Sequence, residues 1–420
     1  LFSMDKIVIH KSRKLSGKVR IGGAKNAALP LMTAALLTEG WNTFTNVPRL
    51  RDIRTAQAVL DELGVDVRWE GDTLRLNAQG LNGNTAPYDL VRTMRASILV
   101  LGPVLTRMKQ VKVSLPGGCA IGARPVDQHL KGLELMGAAI EIKHGYIHAR
   151  TRGLKGATIY FDVNTVTGTE NLLMAASLAK GTTVLHNAAQ EPEVEELAAV
   201  LTAMGAHIEG AGTDTITIEG VASLKPVTHS VMPDRIEAGT YLLAGALTGG
   251  TVEVGPCIPA HLGALLQKIE EAGIKIDVAA DTITVKGENS IRPLNITTQP
   301  YPGFATDMQA QFMVLLCLAE GASLITETIF ENRFIHVAEL QRMGANIEIK
   351  GNTAIVHGVK ELTGASVMAS DLRASASLVL AGLAARGTTE ISRVYHIDRG
   401  YETIEAKLQS LGAHIERVKE

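Results

Sequence analysis

Apolar and polar residues follow one arrangement that recurs six times along the chain. In each copy a helical segment ends in an apolar residue followed four positions later by glycine, and a short strand comes next. These glycines recur at intervals of 68–73 residues and are Gly64, Gly137, Gly205, Gly273, Gly344 and Gly412. Glycine at this place is typical of the left-handed residue that ends a helix. The spacing predicts six units of about 70 residues each.

The residues around each glycine predict the other elements of the unit. Downstream, apolar and polar residues alternate, as in residues 215–218 and 282–285, which predicts half-buried strands joined by hairpins at Gly71-Asp72 and Gly351-Asn352. Upstream lies an alanine-rich helix that is apolar most of the way round, so it should be buried. We therefore predict βαβαββ units in an α/β (α+β) fold of inside-out, barrel-like domains, with the helices inside and the sheets outside.

Six units indicate two domains of three units each. Prolines in segment 225–233 mark a break after the third unit. The last unit lacks a final strand, which we expect the N-terminal strand Lys6–His10 to supply. The prediction is one domain over residues 22–231 and a second over residues 4–21 plus 232–420, which contains both termini. A cleft between the two domains is the expected active site.

Composition and charge narrow the class of protein. The chain has 420 residues, of which 46% are hydrophobic and 4% aromatic, and 41 Lys and Arg against 43 Asp and Glu give a net charge of −2. This balance argues against a nucleic-acid partner. No apolar run approaches the roughly 18 residues of a membrane helix, so we expect no membrane partner. Three cysteines are too few for a disulfide framework, so we expect a cytoplasmic protein. We also expect no secretory signal, and we interpret residues 1–3 as an appended sequence before Met4.

The loop over residues 116–129 differs from its five counterparts, because it is longer and glycine-rich and carries a cysteine and an arginine. Its length predicts a lid. Cys119 lies shortly before a helix expected to begin near residues 125–127, with Arg124 between them. A helix N-terminus and a guanidinium both favour the thiolate. Cys119 is therefore a candidate for a reactive thiol or proton donor, and the alternative is a small residue in a tight turn.

Charged residues occupy matching places near the starts of the alanine-rich helices, namely Lys25, Arg95, Arg235, Asp307 and Arg373. A cation at a helix N-terminus opposes the helix dipole, and a bound phosphate or carboxylate would remove that conflict. Surface ion pairs are the alternative. Lys25 is the sharpest candidate because it follows two glycines. Arg124 and Arg399 add possible bidentate partners for an anion.

Two carboxylates and a histidine accompany these cations. Asp307 and Asp371 should stay ionised among positive charges, and can act as a base, hold a sugar hydroxyl or balance charge. His129 is either a phosphate contact or a structural histidine. The sequence has no Walker-type loop, no dinucleotide fingerprint, no metal-ligand spacing of Cys and His, and no G-x-S-x-G elbow. The residues alone indicate a cleft for small polyanions with a cysteine in its lid.

A family resemblance sharpens this picture. The segments that carry it are GGAKNAALP, PGGCAIGARPVDQH, FATDMQAQF, ENRFIHVAEL, Asp371-Leu372-Arg373 and HIDRGYE. Together they resemble the UDP-N-acetylglucosamine enolpyruvyl transferases (UDP-N-acetylglucosamine 1-carboxyvinyltransferases) of the EPSP synthase-like family. The resemblance runs from Met4 to the C-terminus. The fold of that family, two inside-out α/β domains of three repeats each, agrees with the six units counted above.

The resemblance implies a reaction. The enolpyruvyl group of phosphoenolpyruvate is transferred to the 3′-hydroxyl of UDP-N-acetylglucosamine, and phosphate is released, by addition and elimination through a tetrahedral intermediate. This is the first committed step of peptidoglycan synthesis, and hence serves cell wall biogenesis, cell shape and cell division. The resemblance implies no metal and no organic cofactor. We expect a monomer, with the epoxide antibiotic fosfomycin as a covalent inhibitor at Cys119.

The resemblance also implies roles for residues. Cys119 would protonate the methylene carbon and can form an adduct with phosphoenolpyruvate, and Asp307 would take the proton of the sugar hydroxyl. The implied catalytic residues are Cys119, Lys25, Asp307 and Arg399. The implied phosphoenolpyruvate contacts are Lys25, Asn26, Arg124 and Arg399. The implied UDP-N-acetylglucosamine contacts are Arg95, Arg124, Pro125, Val126, Asp127, Gln128, His129, Asp307 and Ile329. Asp371 and Arg373 would line the cleft.

One segment departs from the family pattern, and two alternatives stay open. Family members often carry Lys-Val-Ser-Val-Gly in the third unit, whereas Val163 stands here in place of the lysine and Thr165 in place of the serine. This puts one diphosphate contact in doubt. The first alternative is the sister activity of 5-enolpyruvylshikimate-3-phosphate synthase, which lacks the cysteine loop. The second is a catalytically silent sugar-nucleotide-binding protein, which the presence of Lys25, Cys119 and Asp307 argues against.

Overall fold

The computed structural model describes residues 5–12, 14–115, 126–288 and 290–419. These residues form two compact units. The terminal unit comprises the described chain up to Gly22 and from Pro233 onward, and the central unit comprises the described residues between Gly23 and Met232.

The central unit contains three repeats, of which the second is the least regular. Its first repeat holds α1 (Lys25–Ala34), β3 (Trp41–Thr45), α2 (Arg51–Glu62), β4 (Asp66–Glu70) and β5 (Thr73–Asn77), and β2 (Ser16–Arg20) precedes it. Its second repeat holds β6 (Thr85–Ala86), α3 (Tyr88–Val91), a 3-10 helix (Arg95–Val100), α4 (Leu101–Met108), β7 (Gln110–Ser114), α5 (Asp127–Leu135), β8 (Ala139–Lys143) and β9 (Tyr146–Arg150). Its third repeat holds β10 (Thr158–Tyr160), α6 (Val166–Ala176), β11 (Thr182–His186), α7 (Pro192–Ala203), β12 (His207–Glu209) and β13 (Thr215–Glu219).

The terminal unit contains the other three repeats. The fourth repeat holds α8 (Arg235–Leu247), β15 (Thr251–Gly255), α9 (Gly263–Glu271), β16 (Lys275–Val278) and β17 (Ile283–Lys286), and β14 (Thr228–Ser230) precedes it. The fifth holds β18 (Ile296–Thr297), α10 (Thr306–Leu316), β19 (Ala322–Thr326), α11 (Val337–Arg342), β20 (Asn346–Lys350) and β21 (Thr353–His357). The sixth holds β22 (Ser366–Met368), α12 (Leu372–Ala384), β23 (Thr388–Ser392), a 3-10 helix (Val394–Arg399), α13 (Ile404–Ser410) and β24 (His414–Lys419), and β1 is Asp5–His10.

One four-stranded sheet corresponds to each repeat, and some sheets take a strand from another part of the chain. Within the described residues there are six four-stranded sheets, and in each a parallel edge strand is followed by antiparallel neighbours, as in the order β10-β11-β13-β12. The sheet of the sixth repeat has the order β22-β23-β1-β24. Strand β1 pairs antiparallel with both β23 and β24. The prediction that the N-terminal strand completes the last repeat is therefore confirmed.

The glycines that defined the repeats adopt the predicted conformation. All six residues after the helix ends have φ between 89° and 113°, the left-handed region in which a side chain would be strained. Gly71 and Gly351 also have positive φ, and each lies in the turn between two paired strands. The helix ends and hairpins inferred from the sequence are confirmed because local backbone geometry alone demands glycine there.

The alanine-rich helices form the centre of each unit. In the terminal unit, α8, α10 and α12 pack against one another, and twelve residues of α8 are buried. Their small residues allow this close approach, because a large side chain on every face would leave no room for three neighbouring helices. Many of the strands bury alternate residues, as in the pattern intermediate–buried–intermediate–buried of β13. The prediction of helices inside and sheets outside is confirmed.

The first strands of the first and fourth repeats are exchanged. Strand β2 pairs parallel with β15 of the fourth repeat, and β14 pairs parallel with β3 of the first. The chain passes from one unit to the other after each of these strands, at Gly22-Gly23 and Met232-Pro233. A Cβ atom on Gly23 would collide with the backbone oxygen of Asn46, so this passage requires glycine.

Candidate functional site

In the central unit, Lys25 is the first residue of α1 and is buried beside a carboxylate. Its Nζ atom donates to Oδ2 of Asp52 at 3.2 Å, and Lys25 and Asp52 are 8% and 3% exposed. Asp52 lies in the first turn of α2, where a negative charge suits the helix dipole. The sequence identified Lys25 but missed Asp52, for which the segment RLRDI at the start of α2 was the available signal. The next residue, Asn26, is half-buried.

His129 lies in α5 of the same unit and has a protein partner at each ring nitrogen. Asn171 on α6 accepts from the backbone N–H of Gly102, so its Nδ2 amide must donate to the carbonyl of Ile98 and to Nδ1 of His129, at 2.9 and 3.0 Å. The proton of a neutral ring is then on Nε2, which donates to Thr167 Oγ1 at 3.3 Å. Burial lowers the pKa of His129 to about 4, with Asp127 raising and Arg95 lowering it. His129 is therefore a neutral residue that fixes α5 against α6.

The other predicted residues of this region lie around the start of α5. Gln128 is buried and accepts from the backbone N–H of Asp162 at 2.9 Å, while Val126 is half-buried and Asp127 is exposed. Arg95 begins the 3-10 helix of the second repeat and interacts electrostatically with His129. Direct contact of these residues with a sugar nucleotide stays a prediction.

In the terminal unit, the Asp307 carboxylate is held by two arginines. Arg333 Nη2 donates to Oδ1 at 2.8 Å and Arg373 Nη2 donates to Oδ2 at 2.9 Å. Both guanidiniums are buried, with side chains 4% and 5% exposed, whereas the Asp307 side chain is 27% exposed. Burial by itself would lower the pKa of Arg373, but Asp307, Tyr401 and Asp234 together more than offset this and raise the pKa, so the cation is retained. The two ion pairs therefore give the carboxylate a fixed orientation at a partly exposed position.

Arg333 was not identified from the sequence. It lies between β19 and α11, in the segment ENRFIHVAEL that carried part of the family resemblance. Arginine in a loop has no periodic pattern that separates a buried ion pair from an exposed one. Only the fold brings this loop to the start of α10, where Asp307 lies.

The remaining predicted residues of the terminal unit have different surroundings. Asp371 caps α12, because its Oδ1 accepts from the backbone N–H of Arg373 and Ala374 at 2.9 and 3.1 Å. Arg399 is half-buried at the end of the 3-10 helix of the sixth repeat. Ile329 is also half-buried, and its backbone N–H donates to Glu327 Oε1 at 2.8 Å.

Cations at the helix starts were expected to indicate a bound anion. The structure instead gives two of them, Lys25 and Arg373, carboxylate partners within their own units. Asp371 further offsets the conflict at α12 because it caps the helix whose second residue is Arg373. Internal ion pairs therefore explain why Lys25 and Arg373 lie at helix starts, and no bound anion is needed to explain these two cations.

Three predicted residues, Cys119, Arg124 and Pro125, lie outside the described residues. In the segment that departs from the family pattern, Val163 is 67% exposed and Thr165 caps α6 by accepting from the backbone N–H of Gly168 at 3.2 Å. The hydroxyl at this position thus stabilises the helix start.

Two further features of residues 5–12, 14–115, 126–288 and 290–419 concern metal ions and membranes. In those ranges, no group of three or more His, Cys, Asp or Glu side chains is arranged to hold a metal ion. None of the helices in the same ranges has the length and apolar character that crossing a bilayer requires.

Comparisons with known proteins agree with this architecture. Residues 9–408 match the family described as EPSP synthase (3-phosphoshikimate 1-carboxyvinyltransferase). The chain is 58% identical over 416 residues to UDP-N-acetylglucosamine 1-carboxyvinyltransferase of Desulfatibacillum aliphaticivorans, covering 99% of this chain and 100% of the relative. It is 59% identical over 418 residues to the protein of the same name from Trichlorobacter lovleyi, again covering 99% and 100%.

Solved structures share the fold. The crystal structure of the enolpyruvyl transferase NikO from Streptomyces tendae matches with a TM-score of 0.90 at 25% identity, covering 100% of both chains. EPSP synthase from Acinetobacter baumannii matches with a TM-score of 0.76 at 18% identity, covering 99% of this chain and 100% of that one. The buried helices and small four-stranded sheets of the described residues, together with these neighbours, define an enolpyruvyl-transferase-like fold. The chain belongs to the EPSP synthase family, among its UDP-N-acetylglucosamine 1-carboxyvinyltransferases.

Proposed function

We propose that the protein transfers the enolpyruvyl group of phosphoenolpyruvate to the 3′-hydroxyl of UDP-N-acetylglucosamine with release of phosphate. The observation that carries the proposal is identity of 58–59% over nearly the whole chain to relatives named for this activity. The reaction places the protein at the entry to peptidoglycan synthesis, in the cytoplasm. Reduced cysteines suit that compartment, and the described ones, Cys257 and Cys317, are free.

In the addition step, the sugar hydroxyl oxygen bonds to C2 of phosphoenolpyruvate while a proton reaches its methylene carbon. We assign removal of the hydroxyl proton to Asp307, whose carboxylate is oriented by Arg333 and Arg373 and is partly exposed. A carboxylate so held aligns the hydroxyl before the bond forms, which lowers the entropy cost of reaching the transition state. Cys119 donates the proton to carbon, as the family resemblance implies.

The product of addition is a tetrahedral intermediate that bears both phosphate and carboxylate. Its negative charge calls for cations that are already in place, and we assign that role to Lys25, Arg124 and Arg399, with Asn26 as a further contact. Lys25 is buried and paired with Asp52, so it is held in position before substrate arrives. In the elimination step, the new methyl group loses a proton, the double bond re-forms and phosphate leaves.

The sugar nucleotide is assigned to the predicted positions Arg95, Val126, Asp127, Gln128 and His129, with Arg124, Pro125 and Ile329. His129 acts there through α5, because its ring nitrogens already bond to Thr167 and Asn171. A monomeric state and alkylation of Cys119 by fosfomycin belong to the same proposal.

The test is phosphate release from phosphoenolpyruvate by the purified full chain. We expect release with UDP-N-acetylglucosamine and none without an acceptor. A second arm replaces the sugar nucleotide with shikimate 3-phosphate, because the matched family is described by that activity. Phosphate release with shikimate 3-phosphate but not with UDP-N-acetylglucosamine would assign the sister activity. Absence of release with both acceptors would overturn enolpyruvyl transfer.

A further inference from the structure

Tyr401 occupies a position that the proposed function does not use. It lies two residues after Arg399, is 1% exposed and contacts Arg373, one of the two arginines that hold Asp307. Its hydroxyl is within hydrogen-bonding distance of Arg373 Nη1 at 3.3 Å, Thr240 Oγ1 at 2.8 Å and Gln311 Nε2 at 3.4 Å. Four segments of the terminal unit therefore meet at one phenolic oxygen, namely α8, α10, α12 and the chain that carries Arg399.

The direction of each hydrogen bond follows from counting donors. Thr240 has one hydroxyl proton, which it donates to the carbonyl of Ile236 at 2.8 Å, so its oxygen accepts from Tyr401. Burial raises the pKa of Tyr401 although Arg373 lowers it, so the phenol is protonated near neutral pH. The Tyr401 oxygen in turn accepts from Arg373, since guanidinium has donors only. The resulting chain runs from Arg373 through Tyr401 and Thr240 to the backbone of α8.

Arg373 is thereby held at two atoms. Its Nη2 donates to Asp307 Oδ2, and its Nη1 donates to Tyr401. Guanidinium is planar, so fixing the second nitrogen fixes the plane in which the first meets the carboxylate. Without the phenolic hydroxyl, the Nη1 donor would lose this buried partner and Asp307 would be held less rigidly.

The same residue fixes the chain that carries Arg399. The backbone N–H of Tyr401 donates to the carbonyl of Ile397 at 3.0 Å, which closes a turn around Arg399. Gly400 lies within this turn against α12, where an added Cβ would lie 2.6 Å from Cδ2 of Leu372. The turn is therefore packed closely on one side and hydrogen-bonded through the Tyr401 side chain on the other.

We propose that Tyr401 is a positioning residue for enolpyruvyl transfer, which sets the orientation of Asp307 through Arg373 and the position of Arg399 through the turn that it closes. The proposal rests on the proposed function. Tyr401 contacts neither substrate in this role and acts through the two charged residues that do. A misplacement of reacting groups by about 1 Å costs on the order of a hundredfold in rate, which sets the scale of the expected effect.

The experiment compares Tyr401→Phe with Tyr241→Phe in the full chain. Tyr241 lies next to Thr240 and is fully buried, and its hydroxyl has no hydrogen-bond partner among the described residues. Both substitutions remove one buried phenolic oxygen and keep the ring, so they match in size and burial. We expect Tyr401→Phe to lower kcat about ten- to hundredfold and raise KM for phosphoenolpyruvate, with the KM for UDP-N-acetylglucosamine within about twofold. We expect Tyr241→Phe to change none of these.

Two variants of Thr240 test the same hydrogen-bond chain if Tyr401→Phe folds poorly. Thr240→Val interrupts the same chain from α8 and should lower kcat in the same way, whereas Thr240→Ser retains the hydroxyl and should restore it. The double variant Tyr401→Phe with Thr240→Val should lose little more than the larger single loss, because both act on one chain.

The outcomes separate the two proposals. A wild-type protein that releases no phosphate overturns the proposed function and this inference with it. An active wild type with equal kcat for the Tyr401→Phe and Tyr241→Phe variants overturns the positioning role alone. A Tyr401→Phe variant whose activity loss equals its loss of folded protein, with Thr240→Val fully active, likewise reduces Tyr401 to a packing residue.

Discussion

The Nζ atom of Lys25, in the first turn of one buried helix, lies 3.2 Å from Oδ2 of Asp52, in the first turn of the next helix. Both side chains are almost completely removed from solvent. A buried charge that loses its partner is costly, so loss of this ion pair should destabilise the central unit. Lys25 is also the lysine that we assign to phosphoenolpyruvate binding.

Asp52→Ala removes the carboxylate and leaves the lysine. We expect the free energy of unfolding of the central unit to fall by about 2 kcal/mol, the scale of a hydrogen bond to a charged group. Urea denaturation followed by circular dichroism measures this change. Glu62→Ala, at an exposed position of the same helix, is the matched control and should change the midpoint little. Equal midpoints for the two variants would show that the ion pair contributes nothing.

Arg333→Met removes one of the two cations that hold Asp307. We expect kcat to fall about tenfold or more, because a general base acts only when it is held within reach of the proton. Arg333→Lys keeps the charge without the planar fork and should give an intermediate rate. Arg342→Met, a substitution of an arginine on α11 with a side chain 59% exposed, serves as the control. Wild-type kcat in Arg333→Met would exclude a contribution from this ion pair.

Acid should destabilise the protein before its carboxylates are protonated. Burial lowers the pKa of His129 and of His336 to about 4, below the value of about 6.5 in an unfolded chain. Between these values the unfolded chain binds protons that the native protein does not. Stability is therefore fully present above about pH 6.5 and falls as the pH decreases, by up to about 1.4 kcal/mol per pH unit for each histidine.

His129→Gln tests this dependence, because a glutamine amide can accept from Asn171 and donate to Thr167 but does not titrate. Urea midpoints between pH 6.5 and 5 should fall less steeply in this variant than in the wild type. His414→Gln, at an exposed position of β24, should keep the wild-type slope. A wild-type stability that is level across this range would contradict burial of neutral histidines.

Alkylation should discriminate among the cysteines. Burial raises the pKa of Cys257 to about 11 and that of Cys317 to about 12, so neither holds an appreciable fraction of thiolate at pH 7. We expect fosfomycin to label Cys119 alone, and Cys119→Ser to abolish labelling. Peptide mass spectrometry reads out the site. An adduct on Cys257 or Cys317 would refute the assignment of the reactive thiol to Cys119.

Local sequence predicted much of the fold. The six glycines after the helices and the hairpin glycines at 71 and 351 are required by backbone conformation, which depends on a few neighbouring residues. The composition of the alanine-rich helices predicted that they are buried, because a helix that is apolar on every face has no polar face to expose to solvent. The missing strand of the last repeat even predicted that Lys6–His10 would return to it, as β1 does.

Other features depend on residues far apart in the chain. The exchange of β2 and β14 between the first and fourth repeats has no local signal, since either strand fits either sheet by pattern. The hydrogen-bond partner of His129 Nδ1 is Asn171, which is 42 residues away in the sequence. From sequence, structural and phosphate-binding roles were equally open for this histidine.

For this protein, sequence by itself determined the repeat, its elements and the candidate residues Lys25, Asp307 and Arg373, because these follow from periodicity and from recognisable segments. Tertiary structure alone decided their partners. Asp52 lies on the next α-helix of the same repeat as Lys25, Arg333 lies in a loop and Tyr401 follows a 3-10 helix. Tertiary packing brings each of them to a charge that a one-dimensional pattern cannot pair. Burial then fixes which of these contacts are strong, since a low-dielectric interior makes each ion pair and each hydrogen bond costly to lose.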